Sequence, residues 1–233
     1  MIDAIMNILT PDNVTFLLEG IAMTLRFAII NVLFSFVLGL VLALMRNYGG
    51  KILSGFVMIY VEVFRNTPLL LWLLFARFSL TIAFGLEPYS AVVFMFVCFF
   101  ASIICEQIRS GFNSISKGQF EAAASQGFNF AQALLYIVIP QAIKKVIPQL
   151  LSTLITIIKD TSYLSTIAIA DFMYQARAIM ANYAAVEDKI AIYIIIVFVY
   201  FIINFTLSCL VRYLSNPNRK KRVKTIPVNT VME

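Results

Sequence analysis

The sequence contains no histidine and few charged residues. Histidine is the commonest general base and metal ligand, so its absence removes the usual basis for a catalytic or metal centre. Charged residues make up 13% of the 233 residues and hydrophobic residues 61%, a balance that excludes an ordinary soluble domain. No phosphate-binding loop ending in Gly-Lys-Ser or Gly-Lys-Thr occurs. We therefore predict one membrane domain with no catalytic residues, no metal site and no cofactor of its own.

Cysteine is also scarce, with three residues in the whole chain. Cys98, Cys105 and Cys209 all lie in apolar runs, and an odd number in such surroundings argues against a disulfide framework. The N-terminal residues MIDAIMNILTPDN have no basic region, so we expect no cleavable signal peptide.

Five apolar segments reach the length of about 20 residues that a transmembrane helix needs. The second segment is broken near Asn66-Thr67-Pro68, and the more polar residues 170–189 predict a short helix outside the apolar core. The fold class predicted from this pattern is an all-α membrane protein with five transmembrane helices. The predicted spans are residues 16–44, 52–84, 89–108, 146–165 and 190–214.

Charges alternate in sign between the successive ends of these spans. Arg177 and Lys189 are exceptions at the acidic ends. The positive-inside rule predicts residues 1–15 outside the cell, a membrane domain over 16–214 with residues 116–140 on the cytoplasmic side, and a basic cytoplasmic tail over 215–233. The net charge of +6 is explained by this topology and by anionic lipid near the tail, and not by nucleic acid. The basic ends carry Arg46, Lys51, Arg109, Lys117, Lys144, Lys145 and Arg212, and the acidic ends carry Asp3, Asp12, Glu19, Glu87, Asp171, Glu187 and Asp188.

Residues 116–140 form a less apolar stretch between the third and fourth spans. Ser116 and Gln119 fit a capping box, so we predict that a helix starts there. Glu121 would lie in its first turn, where a carboxylate complements the positive end of the helix. The three alanines that follow predict a smooth surface for close approach, and Gly127 interrupts the helix. A second short amphipathic segment completes what we interpret as a rigid docking element.

The same stretch resembles the EAA motif of ABC importer permeases, whose pattern is EAA-x3-G-x9-I-x-L-P. It reads Glu121-Ala122-Ala123, then Gly127, then Ile137-Val138-Ile139-Pro140, so the one departure is isoleucine for leucine at position 139. Three flanking segments are similar to the polar amino acid permease family in particular, and the resemblance covers roughly residues 14–214. These segments are FRNTPLL (64–70), EQIRSGFNSISKGQFEAA (106–123) and IIKDTSYLS (157–165).

The resemblance implies the type I ABC importer permease fold, also called MetI-like, in a bacterial plasma membrane. It implies that Glu121, Ala122, Ala123 and Gly127 contact a separate ATP-binding subunit, present in two copies, which carries the ATP and Mg. It further implies a second permease copy, identical or paralogous, and an extracellular or periplasmic substrate-binding protein. The cargo would be a polar amino acid such as glutamine, glutamate or arginine.

Polar residues within the apolar spans are the best candidates for substrate contact, because they are costly in a membrane. The first group is Lys159, Asp160, Thr161 and Ser162. If Lys145 lies at the headgroups, Asp160 is roughly 22 Å further along the helix, within a hydrocarbon core about 30 Å thick. Lys159 and Asp160 could instead neutralise each other or reach the outer surface. The resemblance favours a segment that lines the substrate site.

The break in the second span is the next candidate, with Asn66, Leu69 and Leu70 as substrate-contacting residues. Pro68 removes a backbone donor and disturbs the preceding turn, and irregular backbone within a membrane often lines a cavity or binding site. The alternative is a packing kink without a ligand. Asn66 stands where the family usually has glycine in FRGTP, so a side-chain amide replaces close backbone approach.

Glu106 and Asn204 complete the predicted substrate-binding set. The spacing of Glu106 and Arg109 allows an ion pair on one helix face. Glu106 could form such a pair at the membrane interface, contact the substrate, or belong to a cytoplasmic gate. Asn204 lies deep in the fifth span, where an interhelical hydrogen bond is the usual role and a pathway-facing role is the alternative.

A different class of function also fits some of these residues. An ion-coupled secondary carrier, or a channel subunit for a small polar solute, would account for Asp160 and for the broken second span. It would leave the EAA-like docking element without a role. A non-transporting membrane scaffold is a third class, in which neutralising Asp160 would alter no uptake.

Overall fold

A computed structural model describes residues 2–215, and within this range every regular element is helical. The described residues end at Ser215, so the rest of the predicted basic tail lies outside them. The first half contains α1 (Ile2–Ile8), α2 (Pro11–Tyr48), α3 (Gly50–Arg65), α4 (Leu69–Leu74), a π-helical segment (Phe75–Leu80), α5 (Thr81–Phe84) and α6 (Pro88–Asn113). The second half contains α7 (Gly118–Ser125), α8 (Phe130–Ala133), a π-helical segment (Leu134–Val138), α9 (Ile139–Asp160), a 3-10 helix (Thr161–Ile167), α10 (Phe172–Ala181) and α11 (Val186–Ser215).

The predicted set of five spans is confirmed. Four helical stretches in the described part of the chain are individually long and apolar enough to cross a membrane: Pro11–Tyr48, Pro88–Asn113, Phe130–Ile167 and Val186–Tyr213. The fifth is the pair Gly50–Arg65 and Leu69–Phe84, which passes the same test as one broken span.

The first span is longer than the predicted 16–44. Thr10 caps α2 by accepting a hydrogen bond from the backbone nitrogen of Asn13 at 3.3 Å, and Pro11 occupies the first turn, where a missing N–H costs nothing. The helix continues for 38 residues, or about 57 Å, which exceeds the hydrocarbon thickness of a bilayer. A further short helix, α1, precedes it within the segment 1–15.

The break in the second span lies where proline predicts it. α3 ends at Arg65, Pro68 is extended, and the two halves of the span meet at an angle of 100°. A residue before proline is disfavoured in helical geometry, which explains why the helix stops short of Pro68. The side chains of Asn66 and Thr67 donate to the carbonyl oxygens of Glu62 and Val63, so these carbonyls keep partners at the break.

Helix α6 forms the centre of the bundle and α11 its edge. In the most apolar window of each, 67% of the residues of α6 are buried, compared with 6% for α11. Helix α2 approaches α6 closely at Gly39, where a Cβ atom would lie 2.7 Å from Cγ2 of Ile104 and 3.1 Å from the carbonyl oxygen of Ala101. Close approach through small residues is how helices gain packing energy where lipid removes the hydrophobic effect.

The short helix α7 forms as predicted, but the predicted capping box at Ser116 and Gln119 is wrong. Lys117, and not Ser116, is the N-cap, and its side chain has no acceptor for a cap bond. The side-chain oxygen of Gln119 accepts from Nε2 of Gln141 at 2.9 Å. A capping box does form one helix later, between Asn129 and Gln132. The docking element therefore contains a capping box, but at the start of α8 and not at the start of α7.

Gly127 ends α7 as predicted, with a φ of 84° that favours glycine. The nitrogens of Gly127 and Phe128 donate to the carbonyls of Ala124 and Ala123, which is the Schellman pattern of helix ends. The chain then reverses and starts α8.

The second amphipathic segment and the fourth span are one continuous helical stretch, not separate elements. Helix runs from Phe130 to Ile167, well before the predicted start of the span at Val146. Pro140 does not end it, because proline in the first turn of α9 follows a π-helical segment, where the hydrogen-bond ladder is already shifted.

The contact at Gly39 gives a test of the α2–α6 packing. Gly39→Ala should lower the free energy of unfolding by about 1–3 kcal/mol, because the added methyl group overpacks the interface. Gly55→Ala is the matched control, since a Cβ there has nothing within 4 Å, and alanine should be neutral or stabilise α3 by up to about 1 kcal/mol. Thermal unfolding of the purified protein in detergent measures both, and equal melting temperatures would contradict the packing described.

Candidate functional site

The segment Lys159–Ser162 lies where α9 changes into the 3-10 helix. Asp160 is the last residue of α9, and Thr161 begins the tighter helix with its hydroxyl donating to the carbonyl of Ile158 at 2.8 Å. Lys159 is exposed, Asp160 and Ser162 are half-buried, and Thr161 is fully buried. Among the described ion pairs, none joins Lys159 to Asp160, although the charge of Lys159 lies close enough to act on the Asp160 carboxylate.

Helices α4 and α11 surround this segment. Ile158 and Leu164 share an apolar cluster with Leu69 of α4, and Ile203 of α11 packs against the same cluster. The hydroxyl of Tyr200, also on α11, lies near Thr161. The structure therefore brings Leu69 and the helix that carries Asn204 to the segment 159–162, while Leu70 is half-buried beside Leu69.

Asn204 differs from the prediction in its hydrogen bonding. Its amide nitrogen donates to the carbonyl oxygen of Tyr200 at 2.8 Å, one turn back in the same helix, and not to a neighbouring helix. The usual bond to an adjacent helix is replaced because the asparagine amide reaches the carbonyl four residues earlier. Its side-chain oxygen is buried and has no partner among the described residues.

Asn66 is exposed at the break and is paired with a carboxylate that the sequence analysis missed. Its amide nitrogen donates to Oε2 of Glu62 at 2.9 Å as well as to the Glu62 carbonyl at 2.8 Å. The i,i+4 spacing of these residues on an apolar helix was the signal that could have identified Glu62.

Glu106 lies in a second apolar cluster, apart from the segment 159–162. It accepts from Nη2 of Arg109 at 2.9 Å, which confirms the predicted i,i+3 pair, and it also pairs with Arg46 at the end of α2. Arg65 adds a third positive charge nearby. The pair with Arg46 joins residues 60 positions apart, so only the fold reveals it. The arrangement ties the end of α2 to α6.

Arg77 is another residue that the sequence analysis did not single out. It belongs to the π-helical segment Phe75–Leu80, and its Nε donates to the carbonyl oxygen of Ile167 at 3.2 Å. Ile167 ends the 3-10 helix, and Ala168 follows with a φ of 58°. The broken second span is thus fastened to the far end of the segment that begins at Thr161.

Asp171 is a fully buried carboxylate at the acidic end, the end of the bundle that carries Asp12, Glu87 and Glu187. It caps α10 by accepting from the backbone nitrogen of Tyr174 at 2.9 Å, and its Oδ2 atom has no partner among the described residues. Burial raises the pKa of Asp171 to about 6, although backbone hydrogen bonds act in the opposite direction. Its position in a polar loop gave no sign in the sequence that it would be enclosed.

Helix α7 presents part of the EAA-like motif outward and keeps part of it inside. Glu121, Ala122 and Gly127 are exposed, whereas Ala123 is only 2% exposed, on a helix that contacts α8 and the π-helical segment Leu134–Val138. Glu121 lies in the first turn, as predicted. The three alanines therefore do not form one outward surface, since the side chain of the middle one is buried.

An all-helical bundle of long apolar helices, with a broken span and an external helix at its basic end, defines an integral membrane protein. The chain matches the family model of the binding-protein-dependent transport system inner membrane component over residues 35–220, and it belongs to that family. The predicted membership among ABC importer permeases of the polar amino acid type is confirmed. This membership implies ATP-binding and substrate-binding partner proteins.

Curated relatives and solved structures agree with this assignment. A probable glutamine ABC transporter permease protein, GlnP of Bacillus subtilis (strain 168), is 35% identical over 88% of this chain and 94% of its own length. The arginine transport system permease protein ArtQ of the same strain is 33% identical over 75% of this chain and 82% of its own. A crystal structure of an amino acid ABC transporter with histidines matches with a TM-score of 0.76 and 33% identity, over 87% of this chain and 94% of that chain.

The fold is shared more widely than the sequence. An inward-facing structure of the MetNI methionine ABC transporter has a TM-score of 0.70 at 18% identity, covering 89% of this chain and 100% of that chain. The predicted type I, MetI-like permease fold is thereby confirmed.

The buried carboxyl of Asp171 predicts a pH dependence of stability. Because its pKa is raised from 3.8 to about 6 in the folded protein, the folded state binds this proton more tightly than the unfolded chain. The contribution to stability should be present below about pH 4 and lost as the pH rises through about 6, a change on the order of 3 kcal/mol.

Asp171→Asn keeps the cap and removes the titration, so its stability should vary less between pH 4 and pH 7 than that of the unchanged protein. Thermal unfolding in detergent across this range makes the comparison. Parallel curves for the two proteins would show that Asp171 does not titrate differently on folding.

Proposed function

We propose that this chain is the permease subunit of an ABC importer that carries a polar amino acid across the bacterial plasma membrane. The observation that carries the proposal is the helix α7, which is exposed at Glu121 and Ala122, buried at Ala123 and tied to α9 through the hydrogen bond between Gln119 and Gln141. ATP hydrolysis would occur in two copies of a partner subunit, which hold the ATP and Mg. A second permease copy completes the pore, and a substrate-binding protein delivers the cargo.

The proposed topology places the N-terminus outside the cell and both α7 and the C-terminus in the cytoplasm. It is supported by the lysines and arginines at the α7 end of the bundle and the acidic residues at the other end. Under this topology α7 meets the ATP-binding subunits and the Glu87 end meets the binding protein.

The coupling mechanism follows from how α7 is attached. Its residue Gln119 is hydrogen bonded to Gln141 of α9, and Nζ of Lys145 donates to the carbonyl of Ser114, just before α7, at 2.7 Å. A short helix held at several points moves with the bundle and not independently of it. Closure of the ATP-binding subunits would therefore rock the membrane helices and expose the central site to each side in turn.

The proposed substrate site is the segment 159–162 together with Leu69, Leu70, Asn66 and Asn204. Asp160 would attract the ammonium group of an amino acid or a cationic side chain, while Lys159 would attract a carboxylate. Glutamine, glutamate and arginine are the proposed cargoes, and the relatives' names include glutamine and arginine. We assign Glu106 to the cytoplasmic gate, because Arg46 and Arg109 already occupy its carboxylate.

Reversing the charge of α7 tests the coupling to ATP hydrolysis. Glu121→Lys should abolish substrate-stimulated hydrolysis by the complete complex in proteoliposomes, because a cation at a helix N-terminus opposes its dipole and removes the exposed acidic contact. Normal stimulation in Glu121→Lys, or uptake by the permease without any ATPase, would instead support an ion-coupled carrier.

Neutralising the intramembrane carboxylate tests the substrate site. Asp160→Asn should reduce uptake at least about tenfold, the effect of losing about 1.4 kcal/mol of binding to a charged group. Asp12→Asn, at an exposed acid in the first turn of α2, is the control that should retain uptake. Competition with a panel of amino acids identifies the cargo, and full uptake by Asp160→Asn would remove Asp160 from the site.

A further inference from the structure

Four aromatic rings meet where α7 touches the rest of the bundle. Tyr48 is the last residue of α2, Phe112 lies near the end of α6, Phe120 belongs to α7, and Phe130 begins α8. The ring centre of Tyr48 is 5.6 Å from that of Phe112, 6.4 Å from that of Phe120 and 5.6 Å from that of Phe130. We call this group the aromatic joint.

Within the aromatic joint, Phe120 and Phe130 stack face to face while Tyr48 meets both at their edges. The two phenylalanine rings are 5.5 Å apart and inclined by only 8°, and the tyrosine ring is inclined to them by 64° and 71°. Stacked and edge-on pairs are the favoured arrangements of aromatic rings. The stacked rings join α7 to α8 across the turn at Gly127, so the two helices together contact Tyr48.

Tyr48 is well placed to pass a displacement of α7 into the first span. Tyr48 is followed directly by Gly49 and Gly50, where the chain turns into α3. Because the two glycines have no side chains, side-chain contacts at this end of α2 are made by Tyr48 and the residues before it. Two residues before Tyr48, Arg46 pairs with Glu106 of α6. Close-packed side chains transmit displacement because they compress little.

We propose that the aromatic joint is the element that transfers the movement of α7 to α2, with Tyr48 and Phe120 as positioning residues. This inference rests on the proposed function, since it names the path by which closure of the ATP-binding subunits reaches the first span. The polar contacts Gln119–Gln141 and Lys145–Ser114 connect α7 and its preceding turn to α9, and the aromatic joint connects α7 to α2. Because Arg46 is one half-turn from Tyr48, movement at the joint also acts on the ion pair at Glu106.

The test separates transmission from mere stability by measuring amino acid uptake per ATP hydrolysed. The complete complex, with ATP-binding subunits and binding protein, is reconstituted in proteoliposomes with Tyr48→Ala or Phe120→Ala. Hydrolysis per assembled complex should persist while uptake per ATP falls roughly two- to thirtyfold, the range expected for changes in coupling between sites. A purely structural role would lower ATP hydrolysis and amino acid uptake together and leave their ratio, the uptake per ATP hydrolysed, unchanged.

Two controls define the role of the ring. Tyr48→Phe keeps the ring and should retain the ratio of the unchanged complex. Tyr193→Ala removes an exposed aromatic side chain from α11, away from the joint, and should also retain it. If the alanine variants fail to assemble, Tyr48→Leu and Phe120→Leu keep apolar volume without an aromatic ring and should show the same loss of ratio.

An unchanged ratio in the alanine variants, or in the leucine variants where those are used, overturns the inference. If Glu121→Lys then still abolishes stimulated hydrolysis, the proposed function stands and only the path through α2 is wrong. If Glu121→Lys is also without effect, the proposed function itself fails.

Discussion

The cost of an unpaired polar group inside an apolar bundle governs this structure. Water does not reach the hydrocarbon region, so each polar side chain there must find a partner in the protein or face a wet cavity. Asn66 meets this requirement through Glu62, and Glu106 meets it through Arg46 and Arg109. Asp160 has no ion pair among the described contacts, which is why we assign it to substrate. The same constraint applies to Asp171 and Asn204, each of which keeps a buried side-chain oxygen without a partner among the described residues.

Irregular helix marks the places where these polar groups act. The turn from α-helix to 3-10 helix falls between Asp160 and Thr161, and Arg77 reaches the end of that segment from a π-helical turn. A departure from regular geometry frees or redirects backbone carbonyls, and nearby side chains then bond to them. Regular helices form the rigid frame, and polar side chains bond to backbone carbonyls where the helices are interrupted.

Much of this arrangement could be predicted from the sequence, because it depends on local patterns. Apolar runs of sufficient length predicted five spans, Pro68 predicted the break, and Gly127 predicted the end of α7. The predicted capping box failed because the Gln119 side chain bonds Gln141, a residue distant in the sequence, and α7 begins after Lys117 and not after Ser116. Local patterns also failed for contacts across the fold. No spacing rule links Arg46 to Glu106, or shows that Asp171 in a polar loop is fully enclosed, since both depend on how distant segments pack.

The length of α2 has a mechanical consequence. From Tyr48 to Thr24, whose hydroxyl accepts from the backbone nitrogen of Phe172 at 3.1 Å, the helix measures about 36 Å. A rod of that length, tilted by about 5° around its Tyr48 end, carries its Thr24 end sideways by about 3 Å, close to the width of a water molecule. Under the proposed function, a small change in the tilt of α2 at Tyr48 would be enlarged along the helix into a displacement of this size at Thr24.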